Sequence, residues 1–251
     1  RNVFKAFGLA DFSETSIELI GAESQFGKFA QPGGSREVAM KIAAKHPDAA
    51  GIGILLKEAV GLGLATPPGL SGFAGGRPRP SPVVRLFSFT TPRSQVEARI
   101  LLNEEEISCD ESYGQPLDIT KIARPPTPET NAAQATVEVP LIALAWGRSG
   151  DKGNKANIGI IARDPAYLPY IYAALTEDVV TERFAHFLDS TGPGNVERFL
   201  LPGSNAINFL LHDVLGGGGV ASIRNDPQAK GYAQLLLSCP IPVPATIAEM
   251  L

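Results

Sequence analysis

Trp146-Gly147-Arg148-Ser149-Gly150-Asp151-Lys152-Gly153-Asn154-Lys155-Ala156-Asn157 is the stretch that decides how this chain is read. An apolar run, Val139 to Trp146, leads into it, and Ile158-Gly159-Ile160-Ile161 leaves it. Between them lie glycine, lysine, arginine, serine, aspartate and asparagine. The pattern predicts two strands flanking a polar, glycine-rich loop. Glycine allows positive φ, so neighbouring N–H groups can turn inward together and hold an anion. Arg148 and Lys152 add donors suited to phosphate or carboxylate. A plain turn satisfies the same pattern. It is not a P-loop, because Gly-Lys-Ser/Thr does not follow at the required spacing. It is not a dinucleotide fingerprint either, because Gly-x-Gly-x-x-Gly in a strand-loop-helix context is lacking.

The rest of the composition narrows the function classes. The chain has 251 residues, 44% hydrophobic and 19% charged, with a formal net charge of −4. That is an ordinary globular composition with enough apolar material for a core. The pI is about 5.5 and Lys/Arg do not cluster, which argues against a nucleic-acid partner. Apolar runs stay short of about 18 residues, so no membrane span and no membrane partner is expected. Cys109 and Cys239 fit no metal-ligand spacing, and His46, His186 and His212 form no His-x-x-x-His pair. No metal and no cofactor is expected, and a reducing cytoplasm is the expected compartment. Arg1, not methionine, comes first, and the opening residues read like the middle of a domain; the expectation is a fragment, a processed product or an incomplete sequence.

Along the chain, Thr15 to Ile20 alternates and predicts a strand. Gly21 to Gly34 reads as a loop. Ser35 and Glu37 predict a helix start, with Val38, Ile42 and Ala43 as its stripe, His46 in its last turn and Pro47 as its stop. Residues 49–64 predict a buried helix weakened by glycines. Residues 66–82, with Arg77 and Arg79 among glycines and prolines, read as irregular, either a substrate loop or a connection. Val83 to Phe89 and Val96 to Leu102 predict strands, with Glu106 to Ser108 as a short return. Residues 123–136 read as a semi-rigid proline linker.

In the last part, the predicted order is strand 137–146, loop 147–156 and strand 157–162. Two helices follow, opened by Asp164-Pro165 and Thr176-Glu177-Asp178, the second broken by Gly192-Pro193-Gly194. Val196 to Leu201 predicts a strand. Pro202-Gly203-Ser204-Asn205 is read as the cap of a helix carrying Ile207 to Val214. Gly216 to Gly219 marks a reversal, Tyr232 to Leu237 a final strand, and the tail after Cys239 an extended segment. Strands with interspersed helices in about 100 residues indicate a two-layer α/β sandwich.

The stretch Ala145 to Gly153 resembles the signature of the acyclic terpene utilisation protein A (AtuA-like) family, in its C-terminal ferredoxin-fold domain. The resemblance continues through Asn157 to Ile160, Tyr167-Leu168-Pro169, Val196 to Phe209 and Leu215 to Gly219. Gly69, Gly76-Arg77-Pro78 and Pro82 to Leu86 resemble the end of that family's larger N-terminal domain. The resemblance implies an α/β protein: the C-terminal part of the larger domain (1–122), the linker (123–136), and a ferredoxin-like two-layer sandwich with an extended tail (137–251). It also implies a substrate class, branched isoprenoid-derived acids carried as CoA thioesters, with hydratase or lyase chemistry as the expectation.

Asp151 and Lys152 are the catalytic candidates. Arg148, Ser149, Gly150, Gly153, Asn154, Asn157, Ser204, Asn205 and Arg224 are the substrate- or anion-binding candidates. On this reading the 147–156 loop, the 202–205 cap and the 216–226 segment converge on a phosphate or carboxylate of an acyl-CoA. Asp151 then works as general acid or base if burial raises its pKa, or is held ionised by Arg148 and Lys152. The alternative is a non-catalytic assembly module of a larger catabolic complex, with a second copy or the missing N-terminal domain as partner. Four charged residues within ten favour the ligand site, because a dry interface rarely holds them.

Overall fold

The computed structural model describes residues 2–31, 33–66, 68–72, 76, 78–109, 114–115, 117–130, 134–188 and 194–251. Arg77 and Gly192-Pro193, singled out above, lie outside the described residues.

The front part is built on α1 (Asn2–Phe7) and an antiparallel pair, β1 (Glu14–Ile20) with β2 (Ala39–Lys45). The residues read as a helix from Ser35 are therefore strand from Ala39 on, and carry no helix before it. Ala, Met and Lys favour helix locally, but Met40 pairs with Leu19 and Ile42 with Ile17, and ladder pairing overrides the propensity. His46 consequently ends a strand rather than a helix. Its Nε2 donates to the Ala10 carbonyl and its Nδ1 accepts from the Asp48 amide, at 2.8 and 2.9 Å, while its ring packs on Phe4 and Phe12. The segment read as one buried helix forms α2 (Ala49–Ala59) and a short α3 (Leu62–Ala65). Only Gly51 of it is buried, and Leu64 is 95% exposed. Val83 to Phe89 makes no strand; it is exposed and without regular structure. The next strand is shorter than expected, β3 (Arg99–Leu102), and it pairs with β4 (Glu105–Ser108).

The core lies in the last part. β5 (Val137–Pro140) leads into a single turn, α4 (Leu141–Leu144), then β6 (Ala145–Lys152) and β7 (Lys155–Ala162). The expected ten-residue loop is a tight hairpin. Lys152 pairs with Lys155, and only Gly153 and Asn154 form the turn. Gly153 takes φ +66 at the first central position, which suits a primed hairpin turn. The two expected helices follow: α5 (Leu168–Ala174), entered through a 3-10 turn that Asp164 caps, and α6 (Glu177–Arg183), capped by Thr176. β8 (Val196–Leu201) and β9 (Ala206–Leu211) form a second hairpin. The segment read as a capped helix from Ile207 is β9, and Pro202 to Ser204 is the 3-10 turn before it. Conversely, Tyr232 to Leu237, read as a strand, is the helix α7, and the tail pairs as β10 (Pro240–Val243) with β5 before α8 (Ala245–Ala248).

β6, β7, β9 and β8 form one antiparallel sheet in the order β6-β7-β9-β8. Its inner face carries Ile158, Ile160, Ile207, Phe209 and Leu211, all at most 1% exposed, packed with α5, α6 and α7. Alternation puts Gly147, Ser149 and Asp151 on this inner side, and Trp146, Arg148, Gly150 and Lys152 on the outer side. Gly147 is where α7 comes closest: a Cβ there would stand 3.1 Å from Leu237 and 3.2 Å from Ile160 side-chain carbons. Gly147→Ala is expected to overpack this contact and cost roughly 2 kcal/mol. A thermal melt should read this as a midpoint about 6 °C lower; an unchanged midpoint would mean α7 gives way freely.

Candidate functional site

The outer side of β6 presents a depression of about 340 Å³ lined by Arg148, Gly150, Lys152, Asn157, Gly159 and Lys230, with Ser149 and Asp151 also in its wall. Gly150 and Gly159 leave its floor without side chains. Register puts Arg148 opposite Gly159 and Gly150 opposite Asn157, so the hairpin itself assembles the group. Lys230 reaches in from the loop before α7, its Nζ standing 3.9 Å from where a Gly150 Cβ would be. Among the described residues, none of Arg148, Lys152 and Lys230 has a carboxylate within 4.0 Å. Lys152 Nζ instead donates to the Asp151 carbonyl at 2.9 Å. Three cations around a glycine floor concentrate positive charge, and among the described residues no ion pair offsets it.

Asp151 does not ion-pair with Arg148 or Lys152, because strand alternation sends it to the other face of the sheet. Its Oδ2 lies 3.7 Å from a Cβ built on Gly219. Ser149 is also inward and is 8% exposed. Its Oγ donates to the Ala229 carbonyl at 2.6 Å and accepts from the Ala233 amide at 2.8 Å, so it ties β6 to the start of α7. Asn157 Nδ2 donates to Asn208 Oδ1 at 3.3 Å on the open face.

Two of the three segments expected to converge do so. Asn154 Oδ1 accepts from the Gly217 amide at 2.8 Å, its Nδ2 donates to Asp213 at 3.1 Å, and its carbonyl accepts from Val214 at 3.1 Å. Gly218, at φ +93, comes so near that a Cβ would be 3.0 Å from the Gly153 carbonyl oxygen. Ser204 and Asn205 do not join. The Asn205 carbonyl accepts from Ala162, at the end of β7 away from the Gly153 turn, about 23 Å along the strand. Without a helix after them, they also lack the expected ring of free helical N–H groups. Arg224 is drawn inward: its Nη1 donates to the Phe187 carbonyl at 3.0 Å and to that of Val214, and its guanidinium lies 5.5 Å from the Phe187 ring.

Beside Arg224, burial pushes His186 below its usual pKa, opposed by its bond to the Gln25 carbonyl and helped by Arg224 and Arg183. Burial also pushes the Tyr232 phenol and the Cys239 thiol up, so both stay protonated near neutrality. Sequence reasoning did not find Lys230, which enters the depression from 80 residues beyond Gly150; only the fold brings it there. No group of three or more possible metal ligands occurs among the described residues, and no helix described is long and apolar enough to cross a membrane.

The fold is a mixed α/β one with open antiparallel sheets, and its cationic hairpin lies in the region where the family comparison falls. Residues 139–242 match the model of the AtuA ferredoxin-like domain, and residues 1–102 match that of the acyclic terpene utilisation family protein AtuA. The chain belongs to the AtuA family and carries its ferredoxin-like domain, which makes it a terpene-utilisation-related protein. No curated protein and no solved structure matches it.

Proposed function

We propose that the protein binds a branched, isoprenoid-type acyl-CoA, with the phosphates seated in the depression formed by Arg148, Lys152 and Lys230. The observation that carries this is the absence, among the described residues, of carboxylate partners for those three cations. Phosphate is the anionic group for which a guanidinium and two ammonium groups over a glycine floor are suited. Hydratase or lyase chemistry on the thioester is the reaction class that goes with this reading. Asp151, half-buried and close to Gly219, is the proton-transfer candidate; Lys152, the other catalytic candidate, is assigned in this reading to the phosphates.

The proposed division is 1–122, a linker at 123–136, and 137–251; pairing of β5 with β10 closes the last unit from Val137 to Val243. A cytoplasmic setting suits two free cysteines, one exposed and one buried. A second reading, an assembly module, draws on the open sheet face, where Trp146, Ile161 and Leu201 are 45–54% exposed.

Trp146 supplies the test. It is the only tryptophan, and it lies two residues before Arg148 on the same sheet face. Titration with CoA is expected to give a saturable change in its emission that weakens as salt is raised. A flat titration combined with a concentration-dependent dimer in sedimentation would overturn the ligand reading in favour of assembly.

A further inference from the structure

Register arranges the outer face of the four-stranded sheet in rows. Trp146 stands opposite Ile161, and both are about half exposed. In the next row Arg148 stands opposite Gly159, and Gly159 opposite Asn208. The row after that sets Gly150 opposite Asn157. An apolar patch therefore passes directly into the cationic depression, with Trp146 about 7 Å along β6 from Arg148 and about 13 Å from Gly150.

Trp146 is not a core residue. Leu144 and Ala145 before it are fully buried, whereas 54% of Trp146 is exposed. Its ring is covered by a cation: the Arg163 guanidinium lies 4.7 Å from the ring centroid. Arg163 is held there, its Nε donating to the Ile142 carbonyl at 3.2 Å and its amide to that of Leu144 at 2.8 Å. Among the described residues Arg163 has no carboxylate within 4.0 Å, and no aromatic ring pairs with Trp146. With a guanidinium over it and half its surface still in water, the indole has room for a second planar partner, which would remove apolar surface from water.

We propose that the Trp146 ring seats a nucleobase, which makes this face a nucleotide platform. The base stacks on Trp146 beside Ile161, the ribose crosses Gly159, and the phosphates lie among Arg148, Lys152 and Lys230. A nucleotide uses both parts of the face, because one ribose joins a flat base to a multiply charged end. Gly159 has no side chain to obstruct the path between them. The inference rests on the reading above that the depression takes the phosphates of an acyl-CoA. It adds the direction of binding: adenine lies toward Trp146, and the thioester arm leaves past Lys152 toward the Gly153 turn.

The test compares ADP with inorganic pyrophosphate, two anions of similar charge of which only the first carries a base. Both are titrated by calorimetry into the full chain and into Trp146→Ala and Trp146→Phe. ADP should bind the wild type at least about fivefold more tightly, the low end for a base stacked on an aromatic side chain. Trp146→Ala should abolish that advantage and leave pyrophosphate affinity unchanged, because the anion contacts lie further along the strand. Trp146→Phe, which keeps a ring, should retain part of it. If ADP gains nothing over pyrophosphate on the wild type, the base seat fails and the depression stands. If Trp146→Ala keeps the advantage, or weakens both probes equally, the base seat fails as well. If neither probe binds the wild type, the anion reading of the depression falls and takes this one with it; a concentration-dependent dimer in sedimentation would then assign the face to a second copy.

Discussion

Replacing Arg148 and Lys152 together by alanine is expected to weaken CoA binding about 30-fold. Each side chain is at least partly in contact with solvent, so each charge-assisted contact contributes about 1 kcal/mol rather than the larger value of a buried pair. Two such losses make about 2 kcal/mol, which is about 30-fold in the dissociation constant. The fold should be indifferent to the change, since among the described residues neither side chain holds a carboxylate and Lys152 only reaches its neighbour's carbonyl. Trp146 emission measures the binding and a thermal melt checks the fold. An affinity within twofold of wild type would show that the cations are mere solvated surface. Lys230→Ala should act in the same direction with a smaller effect, being one charge rather than two.

Arg183→Ala is expected to lower stability by about 3 kcal/mol, seen as a thermal midpoint lower by about 9 °C. Arg183 is 7% exposed and among the described residues has no carboxylate within 4.0 Å. Its Nε donates to the Leu235 carbonyl at 3.0 Å, its Nη2 donates to Ser238 Oγ, and its guanidinium lies 4.1 Å from the Phe29 ring. It thus ties α6 to the end of α7 and to the front part of the chain. Truncation removes both hydrogen bonds and the ring contact, and leaves a void. Arg183→Lys should recover less than half of the loss, because a single ammonium does not reproduce the planar fork. A midpoint within 2 °C of wild type for the alanine variant would show that desolvating the guanidinium already cancels its contacts.

Much of the last domain was legible in the sequence because its signals were local. Asp164 and Thr176 cap the helices that their positions predict, and Val196 to Leu201 is the strand its alternation predicts. Of the three cations expected to act together, Arg148 and Lys152 line one depression, whereas Arg224 is turned to the carbonyls of Phe187 and Val214. Where reading failed, two periods competed. Ile207, Leu210, Leu211 and Val214 fit a helix, while Ile207, Phe209 and Leu211 fit a strand; pairing with both β7 and β8 decides for the strand. Tyr232 to Leu237 was misread as strand although Ala, Gln and Leu favour helix, and Asp226, whose carboxylate accepts from Lys230 and Gly231, prepares the start. The hairpin reads as a loop in the sequence because glycines and charges suggest turns, yet Arg148, Gly150 and Lys152 sit on its open face, where water accepts them. Lys230 carried no local signal, since it enters the depression from a distant segment.

Amide chemical shifts during a CoA titration test the central claim most directly. Saturable shifts are expected at Gly150, Gly159 and Lys230, with a midpoint at about 30-fold higher CoA in the Arg148→Ala/Lys152→Ala variant. Shifts centred on Ser204 and Asn205 at the far end of the sheet, or none at saturating CoA, would contradict it.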